Sequence, residues 1–229
     1  MLNPTLDLPA LAEAFRIDDR VRIPDALQPA RAQEIHALIA NETAYATMTA
    51  VDGSPRAIFP DELARLGQAE RADLQRKVAA DASRGAGFLY EGHQMAESAN
   101  ARLRAVLEDL NAAPVLEAVR TIVGAPEIAW ADGQATRYVP GNFLTRHLDD
   151  PAGESRIAAY VLSLTPNWHP DWGGLLQFYE PDGTPRDAWA PGFNVLSLFS
   201  TRHIHSVTYV APFAAAPRLS VTGWFRAAG

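Results

Sequence analysis

The sequence predicts an α+β chain in which helices come first and an antiparallel β-sandwich or jelly roll follows. Helical spacing of apolar residues dominates up to about residue 125, and short β runs begin at residue 128. Turn signals separate these β runs at fairly even intervals, at residues 140–142, 171–174, 181–183 and 191–192. Because helices precede strands, we expect the helices to pack on one sheet of the sandwich.

The N-terminal part is predicted to contain two short strands and four helices. The β-like run 20–24 is followed by a helix from Pro29 to about residue 40, with apolar residues on one face. A second helix is indicated over 60–82, and the glycines of 84–87 end it. A strand at 88–91 precedes helices over 96–110 and 114–123, which Pro114 separates because the residue before a proline avoids the α region.

The C-terminal part consists of short β runs at 128–131, 134–139, 157–164, 175–179, 194–199, 206–210 and 219–225. No flexible linker separates it from the helices. We therefore expect one domain over residues 1–229, in which 1–125 form a helical support region and 126–229 form a jelly-roll core that carries the site.

The composition excludes several functions. The chain has 229 residues, 48% of them hydrophobic, so a sizeable core is expected. Its net charge is −7 and it has no dense basic run, which argues against direct nucleic-acid binding. It has no cysteine, so any metal must be held by His, Asp or Glu. No apolar stretch approaches the ~20 residues of a membrane span, and the N-terminus lacks a basic start before an apolar stretch, so we expect a cytoplasmic protein without a membrane partner.

The triplet His147-Leu148-Asp149 predicts a metal site when it is combined with a later histidine. In an extended strand the side chains of His147 and Asp149 point the same way, whereas that of Asp150 points to the opposite face. His205 opens a β run 56 positions after Asp149, and His203 shares its parity, so spacing alone does not separate these two histidines. Two imidazoles and one carboxylate form the ligand set of non-haem Fe(II) oxygenases.

Arg218 begins a strand whose two faces differ in chemistry. A guanidinium is permanently charged and directs two donors toward a carboxylate, which suits the far end of a small dicarboxylate held between Arg218 and a metal. Tyr138, nine positions before His147, is either a residue whose hydroxyl reaches the same cavity or a core tyrosine whose hydroxyl is satisfied elsewhere. One face of the strand carries Arg218, Ser220, Thr222 and Trp224, and the other carries Leu219, Val221, Gly223 and Phe225.

The remaining histidines and the tryptophans have less specific interpretations. His36 is expected to be a packed or capping residue of a helix, His93 a partly exposed residue, and His169 a solvated loop residue, with a place at a substrate entrance as the alternative. Trp168, Trp172 and Trp189 are expected near the same end of the molecule. There they form either a hydrophobic cover or a groove for an extended peptide.

Residues 134–226 resemble the 2-oxoglutarate (2OG)- and Fe(II)-dependent prolyl hydroxylases. Within that family, the chain is most similar to the ribosomal-protein prolyl hydroxylases and their bacterial relatives. The motifs that carry the resemblance are RYVPGN at 137–142, LTRHLDD at 144–150, Arg156, YVLSLT at 160–165, WGG at 172–174, HSV at 205–207 and residues 218–224. The resemblance implies a jelly roll of the double-stranded β-helix type.

The resemblance also implies roles for individual residues. It makes His147, Asp149 and His205 the iron ligands and Arg218 the partner of the 2OG C5 carboxylate. Tyr138 and Thr222 would line the cosubstrate pocket, and Arg156 and Trp224 would lie near the substrate. Ser163 departs from the family, because relatives usually have a tyrosine there that helps to hold 2OG. The implied cofactors are Fe(II), 2OG and O₂, with ascorbate as a reductant.

We therefore expect an oxygenase that hydroxylates an unactivated C–H bond, with a prolyl residue of a peptide or protein as the first candidate substrate. The first alternative is hydroxylation of free proline or another small metabolite. An alternative of another class is a non-catalytic or hydrolytic protein that binds Zn²⁺ through the same His₂Asp set, in which Arg218 would have no purpose.

Overall fold

The chain forms a curled antiparallel sheet with helices on one of its faces. The computed structural model describes residues 1–149 and 155–228. None of the helices within these ranges has the length and apolar character needed to cross a membrane. The helices are α1 (Leu8–Asp18), α2 (Pro29–Asn41), α3 (Pro60–Arg65), α4 (Gln68–Ser83), α5 (Ala101–Leu110) and α6 (Ala113–Val123), with a short 3₁₀ helix at Pro170–Trp172.

The strands pair in the order β1-β11-β8-β13-β6-β4-β7-β12-β9-β10, and every pair is antiparallel. Strands β2 and β3 form a hairpin beside β4, and β5 pairs with β13. Their bounds are β1 Arg20–Pro24, β2 Ala46–Val51, β3 Ser54–Ile58, β4 Phe88–Gln94, β5 Ile128–Ala131, β6 Gln134–Tyr138, β7 Phe143–His147, β8 Arg156–Leu164, β9 Leu176–Tyr179, β10 Pro185–Trp189, β11 Phe193–Ser200, β12 Ile204–Val207 and β13 Arg218–Ala227.

The sheet curls so that its two ends face each other across an interior. Phe178 of β9 packs against Ala159 of β8 and Phe199 of β11, although these strands are far apart in the pairing order. Arg20 of β1 also pairs with Asp187 of β10, with Nη2–Oδ2 at 3.0 Å, which ties together the two ends of the order. The predicted jelly-roll fold is confirmed.

Four of the helices, α1, α2, α5 and α6, pack on the outer face of the long strands, as predicted. Apolar residues at helical spacing meet alternate residues of the strands, which places one continuous core between the two layers. This core includes Phe15, Ile35, Leu38, Leu103, Val106 and Val119 from α1, α2, α5 and α6, and Leu162, Leu198, Leu219, Val221 and Phe225 from β8, β11 and β13.

The helix predicted over 60–82 is two helices. The chain is extended at Leu66, and α4 starts after Gly67, whose N–H donates to the Glu70 carboxylate at 2.7 Å. This capping contact satisfies a donor that a continuous helix would have bonded internally. Helix α4 contacts β2 and β4, so it lies outside the layer that covers the long strands.

Several elements were not predicted. They are α1, the β2–β3 hairpin, β7 and β10, and the helix predicted from residue 96 begins at Ala101. The hairpin turns at Asp52-Gly53, both with positive φ (53° and 78°), which is the conformation that Asp-Gly favours between paired strands. The sequence therefore did carry a signal for this hairpin.

Candidate metal centre

Three side chains that can bind a metal converge inside the curled sheet. Strands β7 and β12 are neighbours, and their register places His147 directly opposite His205. Asp149 lies between the two rings, with its Oδ1 at 3.4 Å from His147 Nε2 and its Oδ2 at 3.4 Å from His205 Nε2. One ligand atom from each residue lies within 4.8 Å of the others, which is the compactness that a shared metal ion requires.

Backbone carbonyls orient both imidazole rings. The Nδ1 of His147 donates to the Thr145 carbonyl at 3.0 Å, and the Nδ1 of His205 donates to the His203 carbonyl at 2.9 Å. Because a carbonyl can only accept, the proton of each neutral ring is held on Nδ1. The Nε2 lone pairs are thereby directed toward Asp149, as metal ligation needs.

Burial and mutual charge set the protonation of the three groups. Burial, together with the charge of His147, lowers the pKa of His205 to about 4, so this ring is neutral at pH 7. Burial acts against the charge of Asp149, but hydrogen bonding to His147 and the charge of His205 outweigh it and lower the pKa of the carboxyl. Burial also opposes the charge on His147, yet Asp149 raises its pKa. A bound metal would displace that proton.

The sequence left one alternative for the ligands open, His203 in place of His205, and set Asp150 aside by strand parity. His203 lies in the turn before β12, and its Nε2 donates to the Asp18 carbonyl at 3.0 Å, so it is directed away from Asp149. Asp149 follows the end of β7, so the triplet is only partly in a strand, although its two side chains do converge. Asp150 lies outside the described residues.

The triad opens into a cavity of about 530 Å³ that also receives Arg218. Arg218 lies opposite Tyr138 in the β13–β6 register, and its guanidinium carbon is 4.9 Å from the centre of the Tyr138 ring. The residue is only 2% exposed, and burial lowers its pKa despite the opposing effect of Tyr138. Within the described ranges, Arg218 forms no ion pair and its Nε has no hydrogen-bond partner.

The other predicted site residues lie around the same cavity. Tyr138 and Thr222 line it, as do Arg156 and Trp224, and the Arg156 guanidinium carbon is 3.8 Å from the centre of the Trp224 ring. Ser163 does not line it, because its hydroxyl accepts a hydrogen bond from the Gly192 N–H at 3.1 Å.

Part of the cavity wall consists of residues that were not predicted from the sequence. Tyr90 of β4 stacks on Tyr138, with ring centres 5.2 Å apart, and Gln134 and Thr136 of β6 lie beside them. Thr136 shares a hydrogen bond with the Ser220 hydroxyl at 2.8 Å, which is a polar contact between β6 and β13. Residues 134, 136 and 138 alternate along β6, so strand parity from Tyr138 could have identified the first two.

The other histidines and the tryptophans named in the sequence analysis make contacts outside the metal triad. His36 bonds to the Leu164 carbonyl, His93 to the Ala44 carbonyl and Ser98, and His169 is an exposed cap of the 3₁₀ helix. Trp168 and Trp172 pack together, with ring centres 5.2 Å apart. Trp189 instead packs on Phe178, so the three tryptophans do not form one groove.

The donors present fit Fe(II) and a dicarboxylate. Two neutral imidazole nitrogens and one carboxylate bind one face of an octahedral ion and leave further positions open. The buried cation of Arg218 shares the cavity and has no carboxylate partner of its own among the described residues, so it can bind the second acid group of a dicarboxylate.

Comparison with known proteins supports this interpretation. Residues 133–226 match the family model described as the 2OG-Fe(II) oxygenase superfamily. This segment contains the triad, Arg218 and the other predicted site residues. No curated protein matches the chain in sequence.

Solved structures share the fold over nearly the whole chain. A Pseudomonas putida prolyl-4-hydroxylase is 20% identical with a TM-score of 0.62, covering 97% of this chain and 100% of that one. A 2OG-Fe(II) oxygenase family oxidoreductase from Burkholderia pseudomallei is 16% identical with a TM-score of 0.66, covering 99% and 93%. A Trichoplax adhaerens prolyl hydroxylase in complex with a hypoxia inducible factor peptide fragment is 18% identical with a TM-score of 0.64, covering 96% and 89%.

At these identities the likeness shows the fold, whereas the family match and the triad point to the chemistry. Fe(II), 2OG and O₂ are the metal and cosubstrates of this superfamily. Residues 133–226, which carry the triad and Arg218, are thus similar to the 2OG-Fe(II) oxygenase superfamily, and the whole chain shares the fold of solved members.

Proposed function

We propose that the protein is a hydroxylase of unactivated C–H bonds and that its substrate is a prolyl residue of a peptide or protein. The observation that carries the proposal is the pairing of two features in one cavity. The His147, Asp149 and His205 ligand atoms meet at one place, and the buried guanidinium of Arg218, which has no ion-pair partner among the described residues, faces the same space. A metal site that binds no anionic cosubstrate would not explain a buried cation in the same cavity.

The side chains of the cavity hold and orient the reactants. His147, Asp149 and His205 would hold Fe(II), and Arg218 would bind the C5 carboxylate of 2OG by two charge-assisted hydrogen bonds. Tyr138 packs beneath the guanidinium, and Thr222 lines the wall beside it. When bound, Fe(II), 2OG and O₂ supply the oxidising chemistry, in which 2OG is decarboxylated to succinate and the substrate gains a hydroxyl group.

The choice of a prolyl substrate rests on the mouth of the cavity and on the comparisons. Leu148, which separates two ligands in sequence, is 53% exposed and lines the cavity, and the stacked pair of Arg156 and Trp224 also lines it. An apolar side chain and an indole face suit a pyrrolidine ring, and a guanidinium can donate to a peptide carbonyl. The shared fold with two prolyl hydroxylases supports this substrate class.

Anaerobic titration with Fe(II) and 2OG tests the cosubstrate site. We expect a visible metal-to-ligand charge-transfer band in the wild type. In Arg218→Ala the band should require about 100-fold more 2OG, because a buried charge-assisted pair contributes roughly 2–5 kcal/mol to binding. Arg218→Lys, which keeps the charge without the fork, should fall between them. Arg102→Ala removes an exposed arginine that pairs with Glu42 and serves as the control.

A wild type without the band would instead favour the zinc-binding alternative. The substrate is tested separately by measuring succinate release with prolyl peptides, with free proline and with host extract, followed by mass spectrometry for a proline that gains one oxygen. Turnover with free proline and not with peptides would replace the protein substrate by a small metabolite. No succinate with any of them would contradict prolyl hydroxylation.

A further inference from the structure

The turn between β11 and β12, which consists of Ser200 at the end of β11 and residues 201–203, contacts two of the three candidate metal ligands. The Asp149 backbone N–H donates to the Thr201 carbonyl at 3.3 Å. The His205 Nδ1 donates to the His203 carbonyl at 2.9 Å. The position of this turn therefore affects both the loop that carries Asp149 and the rotation of the His205 ring.

The turn is held from outside the cavity by the α1–β1 corner, which is formed by Asp18 and Asp19. The Ser200 N–H donates to the Asp19 carbonyl at 2.8 Å, and the His203 Nε2 donates to the Asp18 carbonyl at 3.0 Å. Asp19 has a left-handed φ of 50°, which presents two successive carbonyls to the turn. Arg20 fixes the corner in turn through its ion pairs with Asp18 and Asp187.

His203 is the link between this corner and the His205 ring. Its side chain binds the corner, its carbonyl binds His205 Nδ1, and its ring packs edge-on against Phe178, with ring centres 5.8 Å apart. Phe178 also contacts the His205 ring. A displacement of His203 would thus remove the acceptor that keeps the proton of His205 on Nδ1 and its lone pair on Nε2.

We propose that His203 is a positioning residue, which ties the α1–β1 corner to His205 and holds that imidazole in its ligating tautomer and orientation. This inference rests on the proposed function, since it assumes that His205 ligates the metal. It also assigns a role in the oxygenase site to α1 and β1, which lie outside the segment that matches the family.

The test uses His203→Phe, which retains the ring against Phe178 and removes the hydrogen bond to the Asp18 carbonyl. We expect the dissociation constant for Mn(II), measured by EPR of the free ion, to rise about 10- to 100-fold, as is typical when the group that orients a ligating histidine is lost. In the metal-free protein, ¹⁵N NMR of the imidazoles should show His205 as the Nδ1–H tautomer in the wild type and as a mixture in the variant. His203→Gln, whose amide can still donate to the Asp18 carbonyl, should restore most of the affinity.

The matched control is His36→Phe. His36 also binds a backbone carbonyl through a ring nitrogen and packs edge-on against a phenylalanine, Phe193, but it does not line the cavity. This variant should leave the Mn(II) affinity and the His205 tautomer unchanged. An unchanged affinity and tautomer in His203→Phe would overturn the inference. Absence of Mn(II) binding in the wild type would contradict the proposed function, while the tautomer measurement would still decide the role of His203.

Discussion

The two faces of β13 show how one strand serves both the stability and the chemistry of the protein. Leu219, Val221 and Phe225 are at most 3% exposed and pack in the core beneath the helices. Arg218 and Trp224 point to the other side and line the cavity, where the guanidinium is buried without a carboxylate partner among the described residues. Burying a charge without a partner costs free energy, so the cavity face sacrifices stability for the capacity to bind an anion.

The largest effect is expected from the core face. Phe225→Ala should lower the free energy of unfolding by about 3–5 kcal/mol, because it removes a fully buried ring and leaves a cavity. Denaturant unfolding measures this loss. The metal affinity of the folded protein should stay within about threefold of the wild type, which is under 1 kcal/mol. A parallel loss of metal affinity would show that the two faces are energetically coupled.

The second-largest effect is expected in the cavity, at one of the candidate metal ligands. His205→Ala removes a ligand atom, so the affinity for Mn(II) should fall by more than about 100-fold, beyond the loss usual for groups that only orient a ligand. EPR of the free ion measures it, and far-UV circular dichroism controls for folding. Retained affinity would mean that His205 is not a ligand and that the cavity face has another purpose.

The pH dependence of stability sharpens the comparison further. The pKa of His205 is about 4 in the folded protein and near 6.5 when unfolded, so the unfolded chain takes up a proton first as the pH falls. In the metal-free protein, stability is therefore full above pH 6.5 and should drop by about 2 kcal/mol by pH 5, at about 1.36 kcal/mol per pH unit.

The other two ligands do not titrate differentially in this window. The raised pKa of His147 gives a contribution that is complete below pH 6.5, and the lowered pKa of Asp149 matters only near and below 3.8. Urea unfolding at a pH above 6.5 and at pH 5, with chelator present, measures the drop in stability. In His205→Gln, most of this pH-dependent drop should disappear. A drop in that variant as large as in the wild type would assign the effect to other groups.

The smallest effect concerns the cost of the buried cation. Arg218→Met keeps most of the side-chain volume and removes the charge, so the ligand-free protein should gain about 1 kcal/mol of stability. Denaturant unfolding without 2OG checks this. A loss of stability would instead show that the contact with the Tyr138 ring more than offsets the burial of the charge.

Much of this contrast could be predicted from the sequence, since the alternation of apolar and polar residues over 218–225 is a local property of one strand. The third ligand of the metal triad could not be chosen from the sequence pattern alone. His203 and His205 have the same parity, and only the structure shows that His203 lies in a turn, where parity has no meaning, and binds the Asp18 carbonyl. That contact joins residues 185 positions apart, so no local pattern encodes it.

The misses in the N-terminal part have a related cause. The Asp52-Gly53 turn is a local signal, typical of a hairpin, that the sequence itself carries. The break of the 60–82 helix depends on one capping contact at Gly67. The place of β4 between β6 and β7, however, depends on partners that lie 40 to 60 residues further along the chain. Pairing at such distances is decided by tertiary packing.

The pairing of β1 with β11 also has a consequence for synthesis on the ribosome. Strand β1 is made early, but its partner follows only at residues 193–200. Until then, β1 has no β11 to bind, and its edge is open to chaperones or to wrong partners. The distant pairings also predict slow folding, because a long loop must close before any contact compensates for its lost entropy. A nascent chain paused before residue 193 would therefore already contain the six α-helices found among the described residues and still lack His205, β12 and β13.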